Sequence, residues 1–336
     1  MPELPEVETV RKTLIPIVQH QTISHITVLK KRIIRGDVDQ FLSTLINETF
    51  LDISRKGKYL IFHLTHDKIM VSHLRMEGKY IELLPHMPLS RYARVIFHLS
   101  NGHRLVYDDS RQFGTMTLSS RNDYLHMSDL SALGPEPFVA NADSVFLQMT
   151  QSSRPIKSLL LDQTILSGLG NIYADEVLFA ANIHPLTPGT MIQKYQVETI
   201  LDHSKRILND AIIAGGSTIR SYHPGNGISG DFQLNIKAYG QGGKPCLVCG
   251  HKMKKIQVSG RGTTYCPYCQ SPVHKAIAIA ITGPIASGKS VLTNIYAGQG
   301  YPTLSADKVV YDLYTNPQLV LDLQSHLGIK ITRYRK

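Results

Sequence analysis

The sequence predicts an α+β chain of several domains: a β-rich part first, a helical part with a zinc module next, and a P-loop-like α/β segment last. Three observations carry this. Short β-branched and aromatic runs dominate roughly the first 130 residues. The apolar period becomes helical from about residue 143. Two CxxC pairs then close a Gly-rich stretch, and a different pattern begins at residue 276. The 336-residue length fits two or three domains, and the 42% apolar and 18% charged fractions exclude global disorder.

The elements follow in order. Pro5 suits a first helical position, with Glu6 and Glu8 at the positively polarised end of that helix. A second helix is expected after Asp37. Strands are expected over Ile23–Leu29, Tyr59–Thr65 and Val95–Leu99, and the Asn101-Gly102 pair predicts a hairpin turn. Helical spacing marks Val145–Met149, Ile156–Leu161, Ala174–Ala181 and Val197–Ile213, the last stopped by Gly215-Gly216. Residues 215–243 hold eight Gly and are expected to form a long mobile loop.

Charge narrows the partner. There are 36 Lys plus Arg against 26 Asp plus Glu, a formal charge of +10. A polyanion is implied, nucleic acid before a membrane surface. Residues 232–306 contain no acidic residue and eight basic ones. The chain has no apolar run long enough for a membrane helix and no signal-peptide pattern, so a cytoplasmic protein is expected.

Cys246-x2-Cys249 and Cys266-x2-Cys269, sixteen residues apart, have the spacing of a four-thiolate zinc site. Four thiolates complete a tetrahedron and leave no position for water, so the one ion is expected to be structural. Lys252, Lys254, Lys255 and Arg261 lie between the pairs, where a ribbon would present them to phosphates.

The chain opens Met1-Pro2-Glu3-Leu4-Pro5-Glu6. Met before Pro is normally removed, which would leave a terminal amine on Pro2, partly neutral at physiological pH. Such an amine can attack a sugar carbon and form an iminium. The segments Pro2–Val10, Arg55–Leu60, Asp108–Gly114 and Gly168–Glu176, together with the double CxxC, resemble bacterial formamidopyrimidine-DNA glycosylases.

That resemblance implies a β-sandwich catalytic domain over 1–130, a helix-two-turn-helix domain with a lesion loop over 131–243 and a zinc ribbon over 244–270. It also implies a monomeric bacterial enzyme that excises oxidised purines, such as 8-oxoguanine, from double-stranded DNA and cleaves the abasic site by β- and δ-elimination. Pro2 would be the nucleophile, Glu3 the acid/base partner, Glu6 a supporting acid, Lys58 the hairpin lysine, and Arg261 the finger arginine on phosphate. Met76, Arg111 and Phe113 would fill the space left by the everted base. Lys157 and Asn171 would grip the backbone, with Thr218, Arg220 and Tyr222 toward the lesion. Tyr92 stands where the family often has a DNA-contacting His.

Other readings stay open at this point: an oxidised-pyrimidine glycosylase on the same scaffold, and a zinc-dependent DNA-binding protein without chemistry. Leu4 and the Arg111/Phe113 loop favour the purine enzyme.

Gly283-x4-Gly288-Lys289-Ser290 fits a P-loop between a strand-like Ala278–Ile281 and a helical Val291–Tyr296. Residues 276–336 resemble the start of dephospho-CoA kinase, with Asp307 keeping one acid of that family. Only 47 residues follow Lys289, so this part reads as a truncated kinase-like fragment. ATP and Mg²⁺ would bind at such a loop, but kinase activity is not expected.

Overall fold

The computed structural model describes residues 2–217, 232–271, 279–299 and 303–314. The chain divides into two compact units, residues 1–275 and 276–336.

The first unit opens with helix α1 (Leu4–Val18), whose buried stripe includes Leu4, Val7, Val10, Leu14 and Val18. Strands β1 (Ile23–Val28) and β2 (Ile34–Arg35) lead to α2 (Val38–Leu45), where Asp37 accepts from the Gln40 N–H at the N-terminus. There follow β3 (Phe50–Lys56), β4 (Tyr59–Leu64), β5 (Lys68–His73), β6 (Lys79–Leu83), β7 (Ala93–Leu99), β8 (Arg104–Asp108) and β9 (Thr115–Ser120). They form two sheets, ordered β1-β7-β8-β6 and β2-β9-β5-β4-β3. All pairings are antiparallel except β2 with β9.

The two sheets bury one shared core. Phe50 meets Phe97 across the layers at 6.4 Å between centroids, and Phe62 meets Tyr80 at 5.4 Å. The expected strands are present, each somewhat longer or shorter than its sequence signal. The hairpin expected at Asn101-Gly102 joins β7 to β8, with Gly102 at φ +84°.

The helical part comprises α3 (Ser128–Ser131), α4 (Ala142–Thr150), α5 (Ile156–Leu161), α6 (Asn171–Ala180) and α7 (Lys194–Ile213). Its core gathers Val145, Leu160, Tyr173, Val177 and Leu201, and Leu4 of α1 belongs to it as well. The rest of α1 packs into the sandwich core, so one helix is shared between both cores. Within the expected long loop, residues 218–231 lie outside the described ones, and Phe232–Asn235 is a single 3₁₀ turn. Strands β10 (Lys254–Val258) and β11 (Arg261–Tyr265) form the finger hairpin around Ser259-Gly260, both at positive φ.

In the second unit, α8 (Lys289–Gly298) and α9 (Ala306–Tyr314) are described. Among the described residues no helix is long and apolar enough to cross a membrane.

Candidate active site and DNA interface

Glu3 sits at the N-cap of α1 and is 2% exposed. Its carboxylate reaches across to the start of α6, accepting from the backbone N–H groups of Gly170 at 2.7 Å, Ile172 at 2.8 Å and Tyr173 at 3.3 Å. Helix N-termini leave these donors unsatisfied, so an acid from another element can occupy them. Gly170 is required for the approach: a Cβ there would stand 2.4 Å from the Glu3 carboxyl carbon. Burial pushes the Glu3 carboxyl up to about 7, against the pull of Lys58 and with a contribution from Glu6. A carboxyl that titrates near neutrality can give and take a proton.

Glu6 is a brace. One oxygen accepts from the Glu3 N–H at 2.9 Å; the other accepts from the Tyr173 hydroxyl at 2.7 Å and from Ser217 N–H and Oγ at 2.9 Å each. It fixes the backbone next to Pro2, itself buried, and ties it to the residues leaving α7.

Lys58 lies at the turn between β3 and β4, 5% exposed, its Nζ donating to Leu169 O at 2.7 Å. Burial lowers its pKa, opposed by Glu3 and Glu6 and helped by Arg261. The turn is clamped from behind. Arg55 bonds Glu8 at 3.0 Å and Glu136 at 2.6 Å, while Gly57 N–H donates to Glu136 at 2.8 Å. Such a bidentate guanidinium fixes orientation as well as distance.

Two loops meet around Tyr107. His73 is held neutral, pushed down to about 3 by burial first and then by Arg75, Lys58 and Arg35. Its Nδ1 accepts from the Arg75 N–H at 2.9 Å, starting the turn that carries Met76. On the other side Asp109 accepts from Arg111 N–H at 3.0 Å and Gly114 N–H at 2.9 Å, shaping the loop with Arg111 and Phe113. Ser110 Oγ donates to Glu77, so the neighbours of Arg111 and Met76 are hydrogen-bonded to each other. Phe113 is 46% exposed, with the Arg111 guanidinium 5.0 Å from its centroid. An exposed phenyl held under a cation is available to a partner. Tyr92 is half-buried beneath Arg91, and its carbonyl accepts from Asp109 N–H at 2.9 Å, joining it to the same loop.

Gly114→Ala tests this arrangement. Its Cβ would fall 1.6 Å from the hydroxyl of fully buried Tyr107. The expected cost is about 1–3 kcal/mol in chemical denaturation, with the loop displaced. Unchanged stability would contradict this packing.

The finger hairpin rests on α5 and α6. Asn171 Nδ2 donates to Gly262 O at 3.0 Å, and Asp175 accepts from Thr264 N–H at 3.0 Å. Lys157, which the resemblance assigns to gripping the DNA backbone, lies beneath the finger hairpin. It is fully buried, paired with Asp175 at 2.6 Å, because the finger covers it. Arg261 is exposed beside the hairpin turn, close enough that its charge acts on both Lys58 and Lys157. Thr218, Arg220 and Tyr222 lie outside the described residues.

Sequence reasoning gave no role to the bracing groups Arg55, Glu136, Asp109, Asp175 and Glu176. Glu176 accepts from the N–H groups of Lys237, Ala238 and Tyr239 at 2.8–3.0 Å, anchoring the chain that enters the finger. Two adjacent acids in a helix otherwise buried nearly all round are a signal that could have found the last pair.

The four cysteine sulfurs lie within 4.8 Å of one another, with Cys246–Cys269 at 3.9 Å and Cys249–Cys266 at 3.4 Å. A tetrahedron with Zn–S near 2.3 Å has edges of about 3.8 Å, so the donors fit zinc.

In the second unit, Gly288 at φ +82° begins α8 and residues 283–288 are exposed. Lys289 Nζ donates to Gly283 O and Pro284 O, both at 2.6 Å.

A sandwich and a helical domain meeting at an acid-and-lysine site, with a thiolate finger beside it, define the class. Family models match in order: the formamidopyrimidine-DNA glycosylase N-terminal domain over residues 1–116, its H2TH domain over 133–223, and the zinc finger found in FPG and IleRS over 243–272. The formamidopyrimidine-DNA glycosylase of Oceanobacillus iheyensis is 44% identical over 274 residues, covering 80% of this chain and 98% of that protein. That of Bacillus subtilis is 43% identical over 275 residues, 81% and 99%. Among solved structures, Lactococcus lactis Fpg with Fapy-dG-containing DNA has a TM-score of 0.75 at 37% identity, covering 80% of this chain and 100% of that one. The complex of the same protein with abasic-site DNA also gives 0.75 at 37% identity, covering 80% and 99%. The chain belongs to the formamidopyrimidine-DNA glycosylase family and is an enzyme of DNA repair with a structural zinc finger.

Proposed function

We propose that this enzyme removes oxidised purines from duplex DNA and then cleaves the strand at the abasic site, through a Schiff base on Pro2. The observation that carries this is the placing of Glu3. A carboxyl titrating near 7 is fixed beside Pro2 and acts electrostatically on a buried Lys58.

The Pro2 nitrogen would attack C1′ of the damaged nucleotide while the glycosidic bond breaks, its N–H proton passing to the departing base. Glu3 would protonate the ring oxygen as the sugar opens, giving the iminium. Lys58, its ammonium destabilised by burial, would assist proton transfer in the eliminations that follow. Loss of the C2′ proton expels the 3′ phosphate, and the second elimination expels the 5′ phosphate. Arg261 would hold phosphate during that step, and Met76, Arg111 and Phe113 would occupy the vacated stack. Zinc would be held by Cys246, Cys249, Cys266 and Cys269, where four thiolates leave no open position, and would supply structure to the finger.

Kinase chemistry is no part of the proposal. The Lys289 ammonium, which a P-loop directs to phosphate, here donates to two carbonyls of its own loop.

Borohydride trapping on duplexes carrying 8-oxoguanine opposite each base, with an oxidised pyrimidine as control, tests the reading. A covalent adduct on the purine lesion is expected. Adduct on the pyrimidine alone would move the enzyme to the rival class. No adduct on any lesion would remove the Schiff base on Pro2.

A further inference from the structure

Asn171 and Asp175 are four residues apart on α6 and therefore share one face. Both bond the backbone of the same short stretch of β11. Asn171 takes the carbonyl of Gly262, and Asp175 takes the N–H of Thr264, two residues on. Lys157 from α5 closes the figure, donating to Asp175 at 2.6 Å and to the Gly262 carbonyl at 3.3 Å. At the hairpin turn, Ser158 and Ser259 hydroxyls bond at 2.7 Å. Arg261 lies between the last two anchors.

The Lys157–Asp175 pair is a poor device for stability alone. Both side chains are at most 1% exposed, and taking two charges out of water costs about as much as their attraction returns. An apolar pair of similar size would hold the domains together as well. It would not read a backbone N–H and a backbone carbonyl on one strand, so it would not choose between registers. Buried polar groups of this kind fix registry in some proteins.

We propose that Asp175 is a positioning residue that sets the height of the finger hairpin on α6 and α5, and thereby holds Arg261 at the lesion-flanking phosphate. This rests on the role given to Arg261 above. Asp175 touches neither substrate nor the reacting atoms; it acts through Thr264 and Lys157.

The test is a double-mutant cycle on the full chain with Asp175→Ala, Asp175→Asn, Arg261→Ala and the Asp175→Ala/Arg261→Ala pair, zinc content confirmed for each. Two quantities are read: single-turnover excision, and the slope of log Kd against log salt on an abasic-analogue duplex. Arg261→Ala should lower the slope by about 0.9, one phosphate contact. Asp175→Ala should lower it equally, and the pair no further. Excision should fall about tenfold to a hundredfold in Asp175→Ala, as for a displacement near 1 Å, and should not fall further when Arg261 is already absent. Asp175→Asn keeps an acceptor for Thr264 N–H and should retain part of the rate; it carries the same test if the alanine variant does not fold.

Additive losses would overturn the proposal, as would wild-type values in both readouts. A slope that rises, as it would if Asp175 merely kept Lys157 from phosphate, would overturn it too. Absence of excision by the wild-type chain would instead count against the proposed function, and the salt slopes would still report where Arg261 stands.

Discussion

Glu3→Gln should lose about 10²–10⁴ of its single-turnover excision rate while retaining duplex binding, since one proton-transferring group is removed and the phosphate contacts are not. The amide cannot accept all three N–H groups that the carboxylate takes from Gly170, Ile172 and Tyr173. Some loss of stability is therefore expected as well, and denaturation should accompany the kinetics. In the wild type, kcat/KM should bend downward above pH 7 or so, because only protonated Glu3 can donate.

The same group links pH to stability. Its folded pKa of about 7 lies above the ordinary 4.5, so the folded state holds this proton more tightly than the unfolded chain does. The stabilisation is complete below pH 4.5 and is lost as pH rises through about 7. The interval is worth roughly 3 kcal/mol at 1.36 kcal/mol per pH unit. Urea denaturation at pH 5 and pH 8 reads it, and the difference should shrink in the Gln variant. A Gln variant that excises at the wild-type rate would remove Glu3 from the chemistry.

Withdrawing zinc should be as severe for DNA binding. The finger's own core is small: Cys246, Met253 and Cys266 gather with Phe179 and Ala238, and the two-stranded hairpin is marginal by itself. Structural zinc supplies on the order of 10–16 kcal/mol to such modules at pH 7. Chelation, or Cys266→Ala, should unfold the hairpin, release Arg261 and uncover Lys157. Duplex affinity should fall by about a hundredfold or more at moderate salt as the basic finger is lost. The sandwich has an independent core around Phe62 and Phe97 and should keep its own unfolding transition. Metal-free protein with undiminished DNA affinity would contradict this account.

Much of the architecture was legible because it is written in local patterns. The β-branched runs and the Asn101-Gly102 turn identify the sandwich strands, and the thiolate spacing identifies the finger. The positions of Pro2, Glu3 and Lys58 were legible through the opening segment and the Arg55–Leu60 hairpin. What was not legible is tertiary pairing. Nothing near Glu136 in the chain announces that it clamps a guanidinium 81 residues earlier. Nor does Lys157 announce that the finger, 105 residues on, covers it and turns a surface cation into a buried one. Short polar β3–β4 and β10–β11 turns can be read locally; the direction in which their side chains face is set by whatever packs on them.

The short helix α6 gives these pieces a common origin of measurement. Its amino end receives Glu3, its first two turns receive the finger strand through Asn171 and Asp175, and Glu176 receives the chain entering the finger. All of this falls within the first six residues of a rod about 15 Å long. In an assembly dimensioned from one datum, errors in separate parts do not add along a chain of joints. The acid and the finger strand are each placed against the same rigid reference, and Lys58 bonds the Leu169 carbonyl two residues before it, so play elsewhere in the chain is not passed on to their spacing.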